Sequence, residues 1–461
     1  MFFSVYTLGC KLNSLETEAI VDAFCRGGFS LIRDDQKTSQ KSPEPGIIVI
    51  NTCTVTSMAE QKARRFIRKA LGDYPEACII VTGCYAQMER EALAALEEPS
   101  RRLFVIPGEE KHRLLELPDR IFGPGVLPGN LLPSELPRLI ASWLGSPPGQ
   151  EDGAFRFSPE GFTSRSRGFL KIQDGCDHRC AYCRVSLARG QSRSLGAALA
   201  LERLQALEER GYGEAVLTGV NISQYRDADL GLPGLLDFLL RGTGRIRLRL
   251  SSIEPEGGSL GEAFAQVLAH PRIRPHFHLS LQSGSPGILA KMGRPYSPGD
   301  ISEAVRLLRS IREDPFLACD IIAGFPGETE LEFAKTRELC EDLRFAWIHA
   351  FPFSPRPGTA AFGFSGKVSQ RETSKRVELL GDLARRGRGE YIRRWEGKVV
   401  EAILEGGGCG QEAPAVSENY LKLLVQSGKE PLPPPGSLIR CRILPGGALM
   451  KPGMDARGEI I

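Results

Sequence analysis

Three cysteines fall within eight residues in the stretch DGCDHRCAYC: Cys176, Cys180 and Cys183, spaced C-x3-C-x2-C. Thiolates at such short spacings hold zinc or iron–sulfur clusters. Structural zinc takes four ligands, often as two short pairs, and no fourth cysteine follows here. His178 lies between two of the cysteines, in a loop too tight to bring every side chain onto one metal, and reads as solvated or stacking. Four irons held by three thiolates keep one iron open to a substrate or cofactor. The incomplete set therefore favours a working iron–sulfur cluster, with zinc as the competing reading.

A second group is dispersed. The apolar runs FFSVYTL, GIIVIN and ACIIVT each lead into a cysteine: Cys10, Cys53 and Cys84. Helical patterns (TEAIVDAF, SMAEQKARRFIRKAL, AQMEREALAALE) follow them, and LFVIPG comes next. Near-continuous apolar strands joined by helices predict a parallel sheet covered on both faces. The carboxyl ends of parallel strands share one edge, where ligands bind. Topology alone would then gather three cysteines that are far apart in the chain. The remaining six of the twelve, Cys25, Cys78, Cys319, Cys340, Cys409 and Cys441, read as small packed residues.

These groups must sit on more than one core, because 461 residues exceed a single ordinary domain. The predicted fold class is α/β. Residues 1–123 form the parallel α/β sheet domain, and 124–160 a Pro/Gly-rich linker with one short helix, ELPRLIASWLG. Residues 161–395 hold six βα units: GFLKIQ, EAVLTGV, IRLRLSS, HFHLSLQ, FLACDIIAGF and AWIHAFPF, with helices between. Six in succession imply a partial parallel barrel. Residues 396–461 read as a small all-β module, most simply a five-stranded barrel. No apolar run approaches the roughly 20 residues of a membrane span. The N-terminus has neither a basic n-region nor a cleavage site, so a cytoplasmic protein is expected, with metal binding rather than disulfides. A net charge of +3 permits basic patches and demands none.

C-x3-C-x2-C after the first strand of a βα barrel resembles the radical S-adenosylmethionine signature. TLGCKLNSLETEA, INTCTVT and VTGCYAQ resemble the N-terminal domain of the methylthiotransferases of that superfamily. FLKIQDGCDHRCAYC, LTGVNISQY, LRLSSIEP, HLSLQSGS, KMGRPY, DIIAGFPGETE and HAFPFSPRPGTAA resemble their radical domain. GKVVEAILEG with ENYLKLLV resembles the TRAM module, a small RNA-binding barrel. INTCTVT and RGFLKIQDGC look closest to the enzymes acting on threonylcarbamoyladenosine at position 37 of tRNA.

The resemblance implies two 4Fe-4S clusters, one on Cys176, Cys180 and Cys183 and one on Cys10, Cys53 and Cys84. It implies S-adenosylmethionine as radical source and methyl donor, tRNA as partner, and a flavodoxin- or ferredoxin-like reductant. Cofactor contacts are expected at Thr218, Gly219, Ser251, Glu254, Gln282, Gly324 and Phe325. RNA contacts are expected at Asn419 and Tyr420, with support from the basic stretches 62–69 and 384–394. No catalytic His or carboxylate pair is required, because an unactivated aromatic C–H bond offers no acid or base route. One departure stands out: Ser186 and Leu187 occupy places where the family usually has a proline and an aromatic, while Arg189 and Gly190 are kept. Alternative readings are the same chemistry on isopentenyladenosine tRNA or a ribosomal-protein aspartate, and a non-catalytic metal-bearing RNA-binding protein.

Overall fold

The computed structural model describes residues 1–32, 43–97, 102–122, 132–147, 153–162, 166–255, 261–408, 410–428, 430–446 and 453–461. These form two compact units, and the chain does not divide between them at a single point. Asp174–Asp177 and Cys183–Ser192 belong to the first unit with the N-terminal residues, whereas His178–Tyr182 belongs to the second.

The first unit is built on β1 (Phe2–Thr7), β2 (Ser30–Leu31), β3 (Ile47–Thr52), β4 (Cys78–Gly83) and β5 (Leu103–Val105). All pair in parallel, in the order β2-β1-β3-β4-β5. Every residue of β3 and β4 is buried, as the unbroken runs IIVINT and CIIVTG require of strands covered on both faces. α1 (Lys11–Arg26), α2 (Ser57–Asp73) and α3 (Cys84–Met88) follow β1, β3 and β4. α2 starts where Thr56 accepts the amide of Ala59 at its N-cap. The expected linker is more than a connector. Its helix, Leu136–Leu144, buries Leu136, Ile140 and Trp143 in the core of this unit beside Phe3 and Phe24. Residues 123–131 and 148–152 of that stretch lie outside the described residues.

The second unit carries the six expected barrel strands. Gly168–Lys171, Glu214–Thr218 and Arg247–Leu250 form one parallel sheet. Ser252–Ile253, His276–Gln282, Phe316–Ala323 and Trp347–Pro352 form the next. In His276–Gln282, the residues Phe277, Leu279 and Leu281 are sealed against the outer helices. The even-numbered residues alternate to the inside. Helix Gln370–Trp395 precedes a closed barrel of five strands: Val399–Leu404, Glu412–Ser417, Lys422–Gln426, Ala456–Ile460 and Leu438–Ile443.

This small barrel closes the floor of the half-barrel. Tyr420, at φ 64°, stacks on His276 at 4.0 Å and lies under the Arg249 guanidinium at 5.3 Å. Arg249 donates to both oxygens of Glu214 and to the carbonyls of Ser417 and Glu418. Arg274 bridges Glu214 to Glu401 at 2.8 Å on each side. Burial would raise the Glu214 carboxyl, but Arg249, Arg274 and Arg167 outweigh it and pull it down to about 2.

Two expectations are corrected here. Asn419 is 0% exposed, accepts from the Ser417 hydroxyl and meets the Tyr391 side chain. Tyr420 packs into the floor and stays partly exposed. Asn419, fully buried between the two barrels, presents no face to RNA. Cys25 is also exposed, where a packed thiol was expected. Cys78, Cys319, Cys340 and Cys441 are buried as expected, and Cys409 lies outside the described residues.

Candidate cluster and cofactor site

In the first unit the strand ends put their cysteines where the sequence placed them. Cys10 caps α1, Cys53 follows β3, and Cys84 opens α3 directly after β4. Polar side chains tie the three ends together. Asn13 donates to the Thr52 carbonyl at 2.9 Å, Asn51 to the Asn13 carbonyl at 2.9 Å, and Thr52 to the Thr82 carbonyl at 2.6 Å. Gly83 has φ 102°, and a Cβ there would stand 2.3 Å from the Thr52 carbonyl oxygen. Only glycine lets β4 turn into Cys84 this close to β3.

Burial pushes the Cys53 thiol up to about 12, and Cys10 and Cys84 add to the rise. A thiol held in its neutral form this way needs a cation, or a cluster, before it becomes a ligand. No group of three or more His, Cys, Asp or Glu among the described residues gathers tightly enough for a single metal ion. An iron–sulfur cluster is wider than one ion, so its thiolates stand further apart. The Val55 amide lies 3.5 Å from the Cys53 sulfur and the Val185 amide 3.4 Å from that of Cys183. Such amides offer hydrogen bonds to thiolate sulfur. The donor sets fit clusters better than a closed zinc site.

Arg189 and Arg184 are the functional residues that sequence reasoning did not assign. Arg184 is buried in the first unit, and the Arg189 side chain is 9% exposed there. Arg189 holds both oxygens of Glu16 at 2.9 and 3.2 Å, Asp174 at 3.1 Å and Asn13 at 2.9 Å. Glu16 is also bound by Lys111 at 2.6 Å. Burial opposes the Arg189 charge, but Cys84, Glu16 and Asp174 overcome it. Arg184, directly after Cys183, reaches Glu60 at 3.1 Å and Glu89 at 2.9 Å. Glu60 in turn accepts from Thr54, next to Cys53. The segment after Cys183 is thus fastened to the loops bearing Cys10, Cys53 and Cys84. The Ser186/Leu187 departure falls between the two anchors, where Leu187 is 51% exposed. It alters neither anchor. At the other end of the loop, Gly175 has φ 71°, and a Cβ there would meet the Gln191 carbonyl oxygen at 1.9 Å.

In the second unit, Arg294 lies 3.2 Å from the Cys180 sulfur and donates to Glu254 and to the Tyr296 hydroxyl. His178 stands 3.3 Å from Glu254. Arg294 was present in the quoted KMGRPY without a role, because nothing local marks a residue 114 positions away as a partner of Cys180. Glu254 therefore orients Arg294 and His178. The other expected cofactor residues sit at strand ends. Thr218 and Ser251 are buried, at 1% and 6% exposure. Gln282 ends its strand at φ 68°, after a break in register. Gly219 is approached by Gln173, whose side chain also accepts the Asn221 amide at 2.8 Å.

Gly324 and Phe325 follow strand Phe316–Ala323. The close approach at Gly324 is the Thr373 side chain, 2.2 Å from a Cβ placed there, and its amide is capped by Glu328. Phe325 is 0% exposed, within an apolar cluster of Ala181, Ile288 and Met292.

The chain matches two family models: the radical SAM superfamily over residues 170–340, and uncharacterized protein family UPF0004 over residues 3–105. A Treponema pallidum protein named threonylcarbamoyladenosine tRNA methylthiotransferase MtaB is 40% identical, covering 97% of this chain and 99% of its own. A Thermotoga maritima protein of the same name is 32% identical, over 87% and 86%. A tRNA-2-methylthio-N(6)-dimethylallyladenosine synthase of Anaeromyxobacter is 30% identical, over 98% and 94%. Among solved structures, the radical S-adenosylmethionine methyltransferase TsrM of Kitasatospora setae superposes with a TM-score of 0.51 at 17% identity, covering 78% of this chain and 76% of that one. That likeness concerns the fold.

Proposed function

Because the chain belongs to the tRNA methylthiotransferases of the radical S-adenosylmethionine superfamily, we propose that it methylthiolates carbon 2 of N6-threonylcarbamoyladenosine at position 37 of tRNA. The reading includes two 4Fe-4S clusters, one on Cys10, Cys53 and Cys84 and one on Cys176, Cys180 and Cys183. Bound clusters and S-adenosylmethionine supply the electron, the radical and the methyl group for a C–H bond that acid–base chemistry cannot open.

The observation that supports this most is the pair of arginine anchors. Arg184 and Arg189 hold the segment after Cys183 against the loops of Cys53, Cys84 and α1. A protein using the cysteines only as structural metal sites would have no need to fasten one set to the other. Arg189 places positive charge beside Cys53 and Cys84. Arg294 lies beside the Cys180 sulfur at 3.2 Å. Thr218, Ser251 and Gln282 keep their proposed role as polar contacts to S-adenosylmethionine, with electrons from a flavodoxin- or ferredoxin-like donor. The threonylcarbamoyl assignment draws on the 40% and 32% relatives, set against 30% for the dimethylallyl enzyme.

Nucleoside mass spectrometry of tRNA from a deletion strain tests the substrate. Methylthio-threonylcarbamoyladenosine should disappear and return on complementation; its persistence with no paralogue present refutes the assignment. Anaerobic reconstitution should give about eight irons per chain, and stoichiometric zinc without cluster absorbance would sink the radical reading.

A further inference from the structure

A cleft of about 440 Å³ opens at the seam between the floor of the half-barrel and the small C-terminal barrel. Arg247, Arg272, Arg312 and Arg440 line it, with Glu401 and Glu418. Arg247 is neutralised by a two-point pair with Glu401, at 3.2 and 2.8 Å. Arg272 and Arg312 are not paired in this way. Arg272 donates to Thr243 and to the carbonyls of Leu240 and Ile246. Arg312 donates to the carbonyls of Ala269 and Ile273 at 3.1 and 3.0 Å. These bonds fix both guanidiniums in place, and among the described residues neither makes a direct ion pair with a carboxylate. Burial pulls both below the usual arginine range; Glu208 opposes this at Arg272 and Glu418 at Arg312, while Arg247 and Arg274 add to it. Arg440, exposed on strand Leu438–Ile443, completes the wall.

Fixed guanidiniums with unspent donors match a phosphate better than any neutral ligand. The location narrows the source. Arg247 begins a barrel strand, and Arg272 and Arg312 lie just before two others, so the cleft is at the amino ends of the strands. Arg294 and Glu254 lie beside Cys180, near the carboxyl ends. A seven-residue strand separates the two ends by roughly 23 Å. A nucleotide undergoing chemistry cannot reach both, whereas a polymer can.

We propose that this cleft binds a backbone phosphate of the RNA, remote from the nucleotide being modified. The proposal rests on the tRNA reading above and adds a second point of attachment. The test is a binding titration of the reconstituted full-length protein with a tRNA transcript at several KCl concentrations. Wild type is compared with Arg312→Gln and with Arg440→Gln. Arg440 holds no carbonyl in place, so its variant should fold normally, which a melting curve checks. Losing one phosphate contact should flatten the slope of log K against log salt by roughly 0.7 to 0.9 and weaken all tRNAs alike. Unchanged slope and affinity in both variants overturn the cleft while leaving the tRNA reading intact. A wild-type protein that binds no tRNA overturns both. If inorganic phosphate stabilises wild type but not Arg440→Gln, and tRNA binding is the same in the two, the cleft holds a small anion and the RNA assignment is wrong.

Discussion

Replacing Arg189 with methionine removes the one cation that satisfies Glu16, Asp174 and Asn13 together. In the intact unit the buried charges balance: Arg189 and Lys111 against Glu16 and Asp174. The variant takes the guanidinium from Glu16, which Lys111 also binds, and from Asp174, which also accepts the Gly175 amide. This buried group then carries one negative charge more than in wild type. Breaking a buried pair this way costs about 3–5 kcal/mol. For a unit of this size that is a fall in melting temperature of roughly 6 to 20 °C. The assay is thermal unfolding of the apoprotein followed by circular dichroism. Adding Asp174→Asn to Arg189→Met should recover a sizeable part of the loss, because the stranded charge is removed with its partner. A single variant melting within a degree or two of wild type, or a double variant no better than the single, would refute the argument that Arg189 is a buried charge anchor.

Tyr420→Ala should cost about 3 kcal/mol through the cavity left against His276 and Phe316, with Tyr420→Phe close to wild type in the same melt. Glu214 contributes on the order of 3 kcal/mol that is complete above its ordinary value of 4.5 and lost as pH falls toward 2. A Glu214→Gln variant should therefore be less stable at pH 7 and lose much less on acidification, measured by denaturant midpoints across that window. Gly83→Ala should displace Cys84 and reduce reconstituted iron by about half while the other cysteine set still loads, read by iron analysis of the purified protein.

Cys176, Cys180 and Cys183 were legible from their spacing, and Cys10, Cys53 and Cys84 because their positions are a matter of topology. A strand written as IIVINT or CIIVTG announces its end, and parallel ends share an edge. The barrels were legible for the same reason, since period and run length are local. What the sequence hid was pairwise and long-range. Arg189 and Glu16 are 173 residues apart, and Arg294 and Cys180 are 114 apart. An arginine in RVSLARG or KMGRPY looks like any surface arginine until the fold buries it. Tyr420 is ambiguous in the sequence for a related reason. An aromatic at a turn of a small barrel has the same local signature whether it stacks on a base or on the His276 of a neighbouring barrel. The basic run 384–394 shows both outcomes: Arg388 is taken by Asp455, Arg394 by Asp314 and Arg385 by Asp382, while Arg386 and Arg393 stay exposed.

The sealed floor also bears on the order of synthesis. Arg249 and Glu214 are made long before Ser417, Glu418 and Tyr420, which supply the carbonyls and the ring that close over them. While the chain grows from its N-terminus, Arg249 waits some 170 residues of elongation for these partners, 169 residues from Glu418 and 168 from Ser417. Hydration can satisfy those groups during that interval. A chain halted before Ser417 would keep the wet base and lack the stopper. The small barrel thus doubles as a seal for the vessel above it.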